Sequence, residues 1–276
     1  MKIQIVVPCV NLWDKYTKPC IDSIKTKHDY RILLIDNASN DNTLVEAGKL
    51  VSDKLSHKRN EDRWSCSKSW NYGVRDAWER GYDYCMIINN DVLLHPDCID
   101  EMVDRFERGN VSGDITKEII DSNKPIVMVT AMDVRGDCTN PKDVLSKKLD
   151  EYRKVPEAEH PNFSCFMINK KFTETVGEFD EGFRPAYFED NDAHYRIRMA
   201  GLKAIVHPYA LFYHYGSRTT NEASPDGKPT VSSIQFEHNR ELYVEKWGGR
   251  PGEEKFKIPF NNDIYTIKCV EQLFKL

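Results

Sequence analysis

The sequence predicts an α/β fold in which a mainly parallel central sheet is flanked by helices. Three observations point there. Short continuous apolar runs, Ile3 to Val7, Arg31 to Ile35 and Met86 to Ile88, read as strands covered on both faces, as in a parallel sheet. Two of them run straight into polar tips, Asp36-Asn37-Ala38-Ser39-Asn40-Asp41 and Asn89-Asn90-Asp91. Between them lie segments of helical spacing, and the alternation of strand, polar tip, helix and strand argues right-handed crossovers.

Taken in order, Ile3 to Val7 is a β-branched strand closed by Pro8. A polar loop, Asn11 to Thr17, precedes Pro19, which suits the first turn of a helix carrying Ile21 and Ile24 and ending near His28. After the second strand, the cluster 36–41 is turn chemistry and an N-cap for a helix with Leu44, Val45, Ala47 and Leu50. Trp70, Val74, Ala77 and Trp78 lie on a further helix that Asn71 and Gly73 interrupt. A glycine there costs about 1 kcal/mol against alanine and marks a close approach by another part of the chain. The central strand, 84–91, leads to a helix opened by His95-Pro96-Asp97 and running through Phe106.

Residues 109–124 are polar and read as a surface insertion, and Ile126 to Thr130 is the next strand. The charged stretch Arg135 to Asn162, with three prolines, reads as a mobile excursion over the site. Strand character returns at Phe163 to Ile168, followed by a helix from Ala193 to Ala200. Two strands, Ala204 to His207 and Ala210 to His214, then close the pattern.

With 276 residues, 40% hydrophobic and 30% charged, the chain is long enough for a sizeable core. No apolar stretch reaches the roughly 20 residues that span a bilayer, and the first residues lack a signal peptide's apolar region. The expectation is a cytoplasmic protein without a membrane partner. Eight scattered cysteines, with no Cys-x-x-Cys pair, read as reduced thiols rather than a zinc site. A net charge of −5 gives no electrostatic support for bulk nucleic-acid binding, although a local basic groove stays compatible with it.

Three acidic stations stand out: Asp36, Asp91, and Glu189-Asp190-x-Asp192 before a helix. For each alone the reading as a cap or turn residue is the stronger one. Jointly they carry more, because parallel strands bring their carboxyl ends to one edge of the sheet, where ligands bind. A buried carboxylate there needs a partner or a cation. His214, ending an apolar strand, is either a satisfied core residue or a ligand to a metal shared with Asp91. Carboxylate plus imidazole with open positions suits Mn²⁺ or Mg²⁺ completed by substrate oxygens. Such an ion neutralises a diphosphate leaving group, and a carboxylate apart from it is free to act as general base. The sequence holds no Gly-x-Gly-x-x-Gly, Walker loop or serine nucleophile elbow.

The ordered series Val6-Val7-Pro8, Leu34 to Asp41, Asn71-Tyr72-Gly73, Ile88-Asn89-Asn90-Asp91, Val176-Gly177-x-Phe179-Asp180-Glu181 and Phe188-Glu189-Asp190-Asn191-Asp192 resembles a family 2 glycosyltransferase of the GT-A fold. Arg196, Gly201 and His214-Tyr215-Gly216-Ser217 extend the likeness, which covers roughly residues 3–217. Asn239 and Lys246-Trp247-Gly248-Gly249 resemble a C-terminal extension of some members. The resemblance implies a Rossmann-like GT-A domain over 1–217 and an extension over 218–276 packing on the acceptor side.

It also implies roles. Pro8, Asp36, Asn37 and Asn71 line the nucleotide pocket with Asp36 touching the base, and Lys68 helps there or meets phosphate. Asn89-Asn90-Asp91 stands in the place of the family's Asp-x-Asp, with Asp91 as metal ligand and Asn89 near ribose or metal. His214 matches the late metal or diphosphate ligand. Asp190 matches the catalytic base, with Glu189 and Asp192 orienting it or the donor sugar. The implied reaction is metal-dependent and inverting, from a nucleotide-sugar donor (a UDP-sugar by family weight) to an acceptor hydroxyl, a saccharide or glycan by default. The chain departs from the pattern at Asn89, which removes one formal charge at the metal. Competing readings are a glycosyltransferase acting on a modified nucleic-acid base, and a carbohydrate-binding or scaffold protein without catalysis. A pyrophosphorylase-type transferase needs a Gly/Arg/Lys-rich phosphate loop, which Pro8 to Lys15 does not supply.

Overall fold

A computed structural model describes residues 1–108, 124–159, 163–216 and 231–262. Ser217 and, apart from Lys124, the insertion expected at 109–124 lie outside the described residues, as do 160–162 of the charged excursion. The strands are β1 (Lys2–Cys9), β2 (Asp29–Asn37), β3 (Leu55–Asn60), β4 (Tyr84–Ile88), β5 (Val92–Leu94), β6 (Ile126–Asp133), β7 (Cys165–Asn169) and β8 (Lys203–His214). The helices are α1 (Lys18–Ser23), α2 (Thr43–Lys49), α3 (Cys66–Glu79), α4 (Cys98–Arg108), α5 (Lys170–Thr175), α6 (Glu189–Met199) and α7 (Ser233–Trp247).

The eight strands form one sheet in the order β3-β2-β1-β4-β7-β6-β8-β5. β1, β2, β3 and β4 pair in parallel, β7 runs antiparallel to both β4 and β6, and β6 pairs in parallel with β8. All strands except β7 and β5 therefore point the same way, and their carboxyl ends share one edge.

The pleat sends successive side chains to opposite faces. Ile3, Ile5, Val7, Met86 and Ile88 join one buried cluster with Cys20 and Ile21 of α1 and Cys98, Ile99 and Met102 of α4. Val6, Leu33, Ile35 and Ile87 join the other with Trp70, Val74 and Ala77 of α3, Phe172 of α5, and Ala193 and Ile197 of α6. Burial on both faces is why these strands are apolar throughout. α3 runs without a break through Asn71 and Gly73. A Cβ on Gly73 would lie 2.5 Å from a γ-carbon of Val6, so the close approach its glycine marks is to β1.

Several expectations need correction. The loop at Asn11 to Thr17 contains a π-helical turn, Trp13–Thr17, with Trp13 and Tyr16 buried. α1 stops at Ser23 because Ile24 turns extended. Leu44 and Val45 of α2 are exposed, and Ala47 supplies its buried contact. β3 had no apolar signature. The two strands expected between 204 and 214 are one, β8, whose register slips from Ala131↔His207 to Met132↔Leu211. Pro208, which has no N–H to give the ladder, falls in that irregularity. The described part of the excursion after Arg135 contains three 3-10 turns packed around Val134, Val144, Tyr152, Leu93 and Leu211. Among the described residues no helix is long and apolar enough to cross a membrane, and the seven described cysteines are free thiols.

Candidate active site

The carboxyl edge of the sheet holds a cavity of about 290 Å³. Pro8 and Cys9 of β1 and Val10 just after it, Asn37 from β2, Asn89, Asn90 and Asp91 after β4, Phe163 and Ser164 before β7, and His214 of β8 line its floor. Cys66, Ser69 and Trp70 of α3 form one wall, and Pro185, Ala186, Tyr187, Glu189 and Asp190 another. Of the predicted site residues, Pro8, Asn37, Asn89, Asn90, Asp91, Glu189, Asp190 and His214 meet here. Asp36, Lys68, Asn71 and Asp192 do not line it.

Asp91 and His214 are brought together by sheet pairing. β5 runs back along β8 with Val92 opposite His214, and the Tyr215 N–H donates to the Asp91 carbonyl at 3.0 Å. His214 Nε2 then lies 3.2 Å from Asp91 Oδ1 yet makes no hydrogen bond among the described residues. Neighbouring ligands of an octahedral ion, with bonds of about 2.1 Å, stand about 3 Å apart, so the pair fits Mn²⁺ or Mg²⁺. Among the described residues no three His, Cys, Asp or Glu side chains gather around one point. The remaining ligands would have to be water and substrate oxygens, as a diphosphate provides. Asn90 is fixed separately, donating from Nδ2 to Thr17 Oγ1 at 2.9 Å.

At the β2 end, Asp36 is fully buried and both its oxygens are engaged. Ser39 N–H donates to Oδ1 at 2.9 Å, and Arg59 Nη1 lies 2.6 Å from Oδ2. Asn37 accepts from Asn60 Nδ2 at 2.8 Å and donates to Ser69 Oγ at 3.1 Å. Asn71 turns away from the cavity: its Oδ1 accepts from the Phe179 N–H and its Nδ2 donates to the Phe179 carbonyl, both at 2.9 Å. Lys68 Nζ sits 4.7 Å from the ring centre of Trp64.

The acidic station lies in the first turn of α6, not before the helix. Glu189 is buried, and Glu189 Oε2 has no hydrogen-bond partner among the described residues. Burial and the adjacent Asp190 push its carboxyl well above the ordinary range. Asp190 is half-buried, and burial raises it to about 6 against the backbone N–H of Asn191 that lowers it. Asp192 behaves oppositely. Burial would raise it, but Arg196 and Lys246 hold it below the usual carboxylate range. Its Oδ2 accepts from Arg196 Nε at 2.8 Å and its Oδ1 from Trp247 Nε1 at 2.9 Å. A cavity with one carboxylate beside an imidazole and a separate carboxyl poised to exchange a proton near neutrality has the parts for a general-base displacement.

Arg63, Trp64, Ser69 and Tyr187 also line the cavity and were not singled out from sequence. The polar strand β3 that leads to Arg63 and Trp64 has no hydrophobic pattern, and Tyr187 lies in a stretch without helical or strand periodicity.

Comparison with known proteins agrees with this geometry. Residues 4–177 match the model of Glycosyl transferase family 2. A galactofuranosyl glycosyltransferase of Leishmania donovani is 27% identical over 101 residues, covering 36% of this chain and 23% of that protein. Among solved structures, GalNAc-T7 with UDP, GalNAc and Mn²⁺ superposes with a TM-score of 0.61 at 17% identity, covering 89% of this chain and 48% of that one. S. aureus TarS with UDP-GlcNAc gives 0.59 at 14% identity, covering 88% and 66%. The mannosyltransferase PcManGT from Pyrobaculum calidifontis, with GDP-Man and Mn²⁺, gives 0.54 at 15%, covering 80% and 60%. The chain thus spans less than two thirds of each of these relatives. At these identities the structures show a shared GT-A architecture, and the family match covers more than half of the sequence: the chain belongs to Glycosyl transferase family 2.

Proposed function

We propose that the protein is an inverting, metal-dependent glycosyltransferase that moves a sugar from a UDP-sugar to an acceptor hydroxyl, with a saccharide as acceptor. The observation that carries this is the meeting of the Asp91–His214 pair and Asp190 in one cavity at the carboxyl edge of the sheet. In this reading Asp190 takes the proton of the acceptor hydroxyl while that oxygen attacks the anomeric carbon. The bond from that carbon to the diphosphate oxygen breaks, and the configuration inverts. A Mn²⁺ or Mg²⁺ held by Asp91 and His214 would neutralise the departing diphosphate. Pro8, Asn37 and Asn89 border the nucleotide, and Glu189 orients Asp190 or the donor sugar. Alignment of the two substrates supplies much of the rate.

UDP is favoured because two of the similar structures, GalNAc-T7 and TarS, carry UDP or a UDP-sugar. α7 packs against α6, whose first turn carries Asp190, and against the loop before it, which supports the C-terminal segment, 218–276, as the border of the acceptor side. The free thiols fit a reducing compartment such as the cytoplasm.

Calorimetric titration of UDP, GDP, CDP and dTDP, with and without Mn²⁺, tests the reading on wild type and Asp91→Ala. Metal-dependent binding of UDP that the substitution abolishes supports it. Absence of binding by every nucleotide in both conditions overturns it.

A further inference from the structure

We propose that α7 is a two-point clamp that sets the position of Asp190, with Asn239, Lys246 and Trp247 as its positioning residues. The inference rests on Asp190 being the catalytic base.

The first point of the clamp lies before Asp190. Tyr187 and Phe188 both have positive φ, 80° and 74°, a backbone region that aromatic residues rarely adopt. Such strain persists where the surroundings over-determine it. Asn239, fully buried on α7, supplies that constraint. Its Nδ2 donates to the carbonyls of Ala186 at 2.9 Å and Tyr187 at 3.1 Å, and its Oδ1 accepts from the Arg184 N–H at 3.3 Å.

The second point lies after Asp190, on Asp192. Lys246 Nζ reaches Asp192 Oδ1 at 2.5 Å and Asp180 Oδ2 at 2.7 Å, and Trp247 Nε1 donates to the same Asp192 oxygen. The end of α7 is itself held. Lys255 and Phe256 donate their N–H groups to the Trp247 carbonyl, and the Phe256 carbonyl accepts from Tyr195 of α6. Gly248 caps α7 at φ 74°, and a Cβ there would meet the Phe256 ring at 2.9 Å. Asp190 is thus suspended between two stretches of backbone, each fixed by one face of the same helix. α7 reaches the reaction through the placement of that carboxylate.

The test uses the full chain loaded with Mn²⁺, and reads UDP affinity together with the rate and pH profile of UDP release from UDP-galactose, UDP-glucose and UDP-N-acetylglucosamine. Trp247→Phe keeps the ring and removes the N–H, Lys246→Met removes the cation, and Lys246→Arg restores it. A displaced base is expected to slow turnover by up to about 10²-fold, with UDP affinity unchanged and Lys246→Arg close to wild type. In Lys246→Met the acid limb of the profile should also move to higher pH. Asp192 then keeps Arg196 but loses Lys246 as its second cation, leaving a less compensated charge near Asp190, whose other titratable neighbours include Glu189 and Cys66. If Lys246→Met fails to fold, Trp247→Phe decides alone.

Folded Trp247→Phe with wild-type turnover and pH profile overturns the clamp. Asp190→Asn, run beside it, separates the two claims. Full activity in that variant, or no release of UDP by wild type, overturns the reading beneath; an inactive Asp190→Asn with an unaffected Trp247→Phe overturns the clamp only.

Discussion

Asp91 Oδ1 and His214 Nε2 face each other at 3.2 Å where the link between β4 and β5 meets the end of β8, although 123 positions separate them in sequence. The three-residue strand β5 creates the contact by folding back antiparallel onto β8. Either side chain alone leaves a divalent ion with one protein ligand. Asp91→Ala and His214→Ala should therefore each weaken Mn²⁺-dependent UDP binding, and their effects should not add. Loss of a residue that merely supports a ligand costs 10–100-fold in metal affinity, so loss of a ligand should cost at least about 10²-fold. Titration of Mn²⁺ into the two variants and the double mutant checks this.

Gly73 should be irreplaceable despite lying in a helix. Alanine there gains about 1 kcal/mol of helix propensity, but its Cβ would stand 2.5 and 2.6 Å from the two γ-carbons of Val6 in the packed sheet. Overpacking of this kind costs about 1–3 kcal/mol, so Gly73→Ala should be net destabilising in urea unfolding. Adding Val6→Ala removes both offending carbons. The double variant should then be more stable than the sum of the two single losses predicts.

Arg59 should matter more for stability than its surface location suggests. Its guanidinium is the cation beside Asp36, whose side chain is wholly inaccessible. His57, at 3.9 Å, is held below its ordinary range by burial, so it is a poor substitute. Stripping a buried carboxylate of its partner costs about 3–5 kcal/mol. Arg59 is itself about one-third exposed, 32%, which puts Arg59→Met at the lower end of that range. Arg59→Met/Asp36→Asn should recover most of the loss in chemical denaturation, because no charge is then left buried.

These three contacts also show what a sequence discloses. Asp91 and His214 were legible because each ends an apolar strand, and strand ends in a parallel sheet converge on one edge. The glycine at 73 was legible as a close approach, though not its partner. Arg59 was not, because β3 is a sheet-edge strand whose residues Ser56, His57, Lys58 and Arg59 carry no alternation of apolar and polar. Asn71 and Asp192 show what order alone leaves out. Both occupy family-like positions, yet Asn71 is spent on the Phe179 backbone, and Asp192 on Arg196, Lys246 and Trp247. Residue type and order reveal that a polar group is placed; only the fold reveals whether a partner already holds it.

Asp190 makes the last prediction, in which activity and stability oppose each other. As a base it must be deprotonated, and with its carboxyl raised to about 6 turnover should climb as pH rises through that value and level off above it. Stability should run the other way. Between the ordinary aspartate value and about 6 the folded state binds this proton more tightly than the unfolded chain does. That contribution is fully present below the window and is lost as pH rises through it. The shift corresponds to a penalty on the order of 3 kcal/mol at neutral pH, which Asp190→Asn should relieve while abolishing transfer. Urea unfolding of metal-free protein at pH 4.5 and pH 8, values chosen to bracket about one unit and more on each side of the titration, reads this directly. The variant should exceed wild type at the higher pH, with the advantage shrinking at the lower. An equal difference at both would mean that the carboxyl of Asp190 titrates in the fold as it does in water.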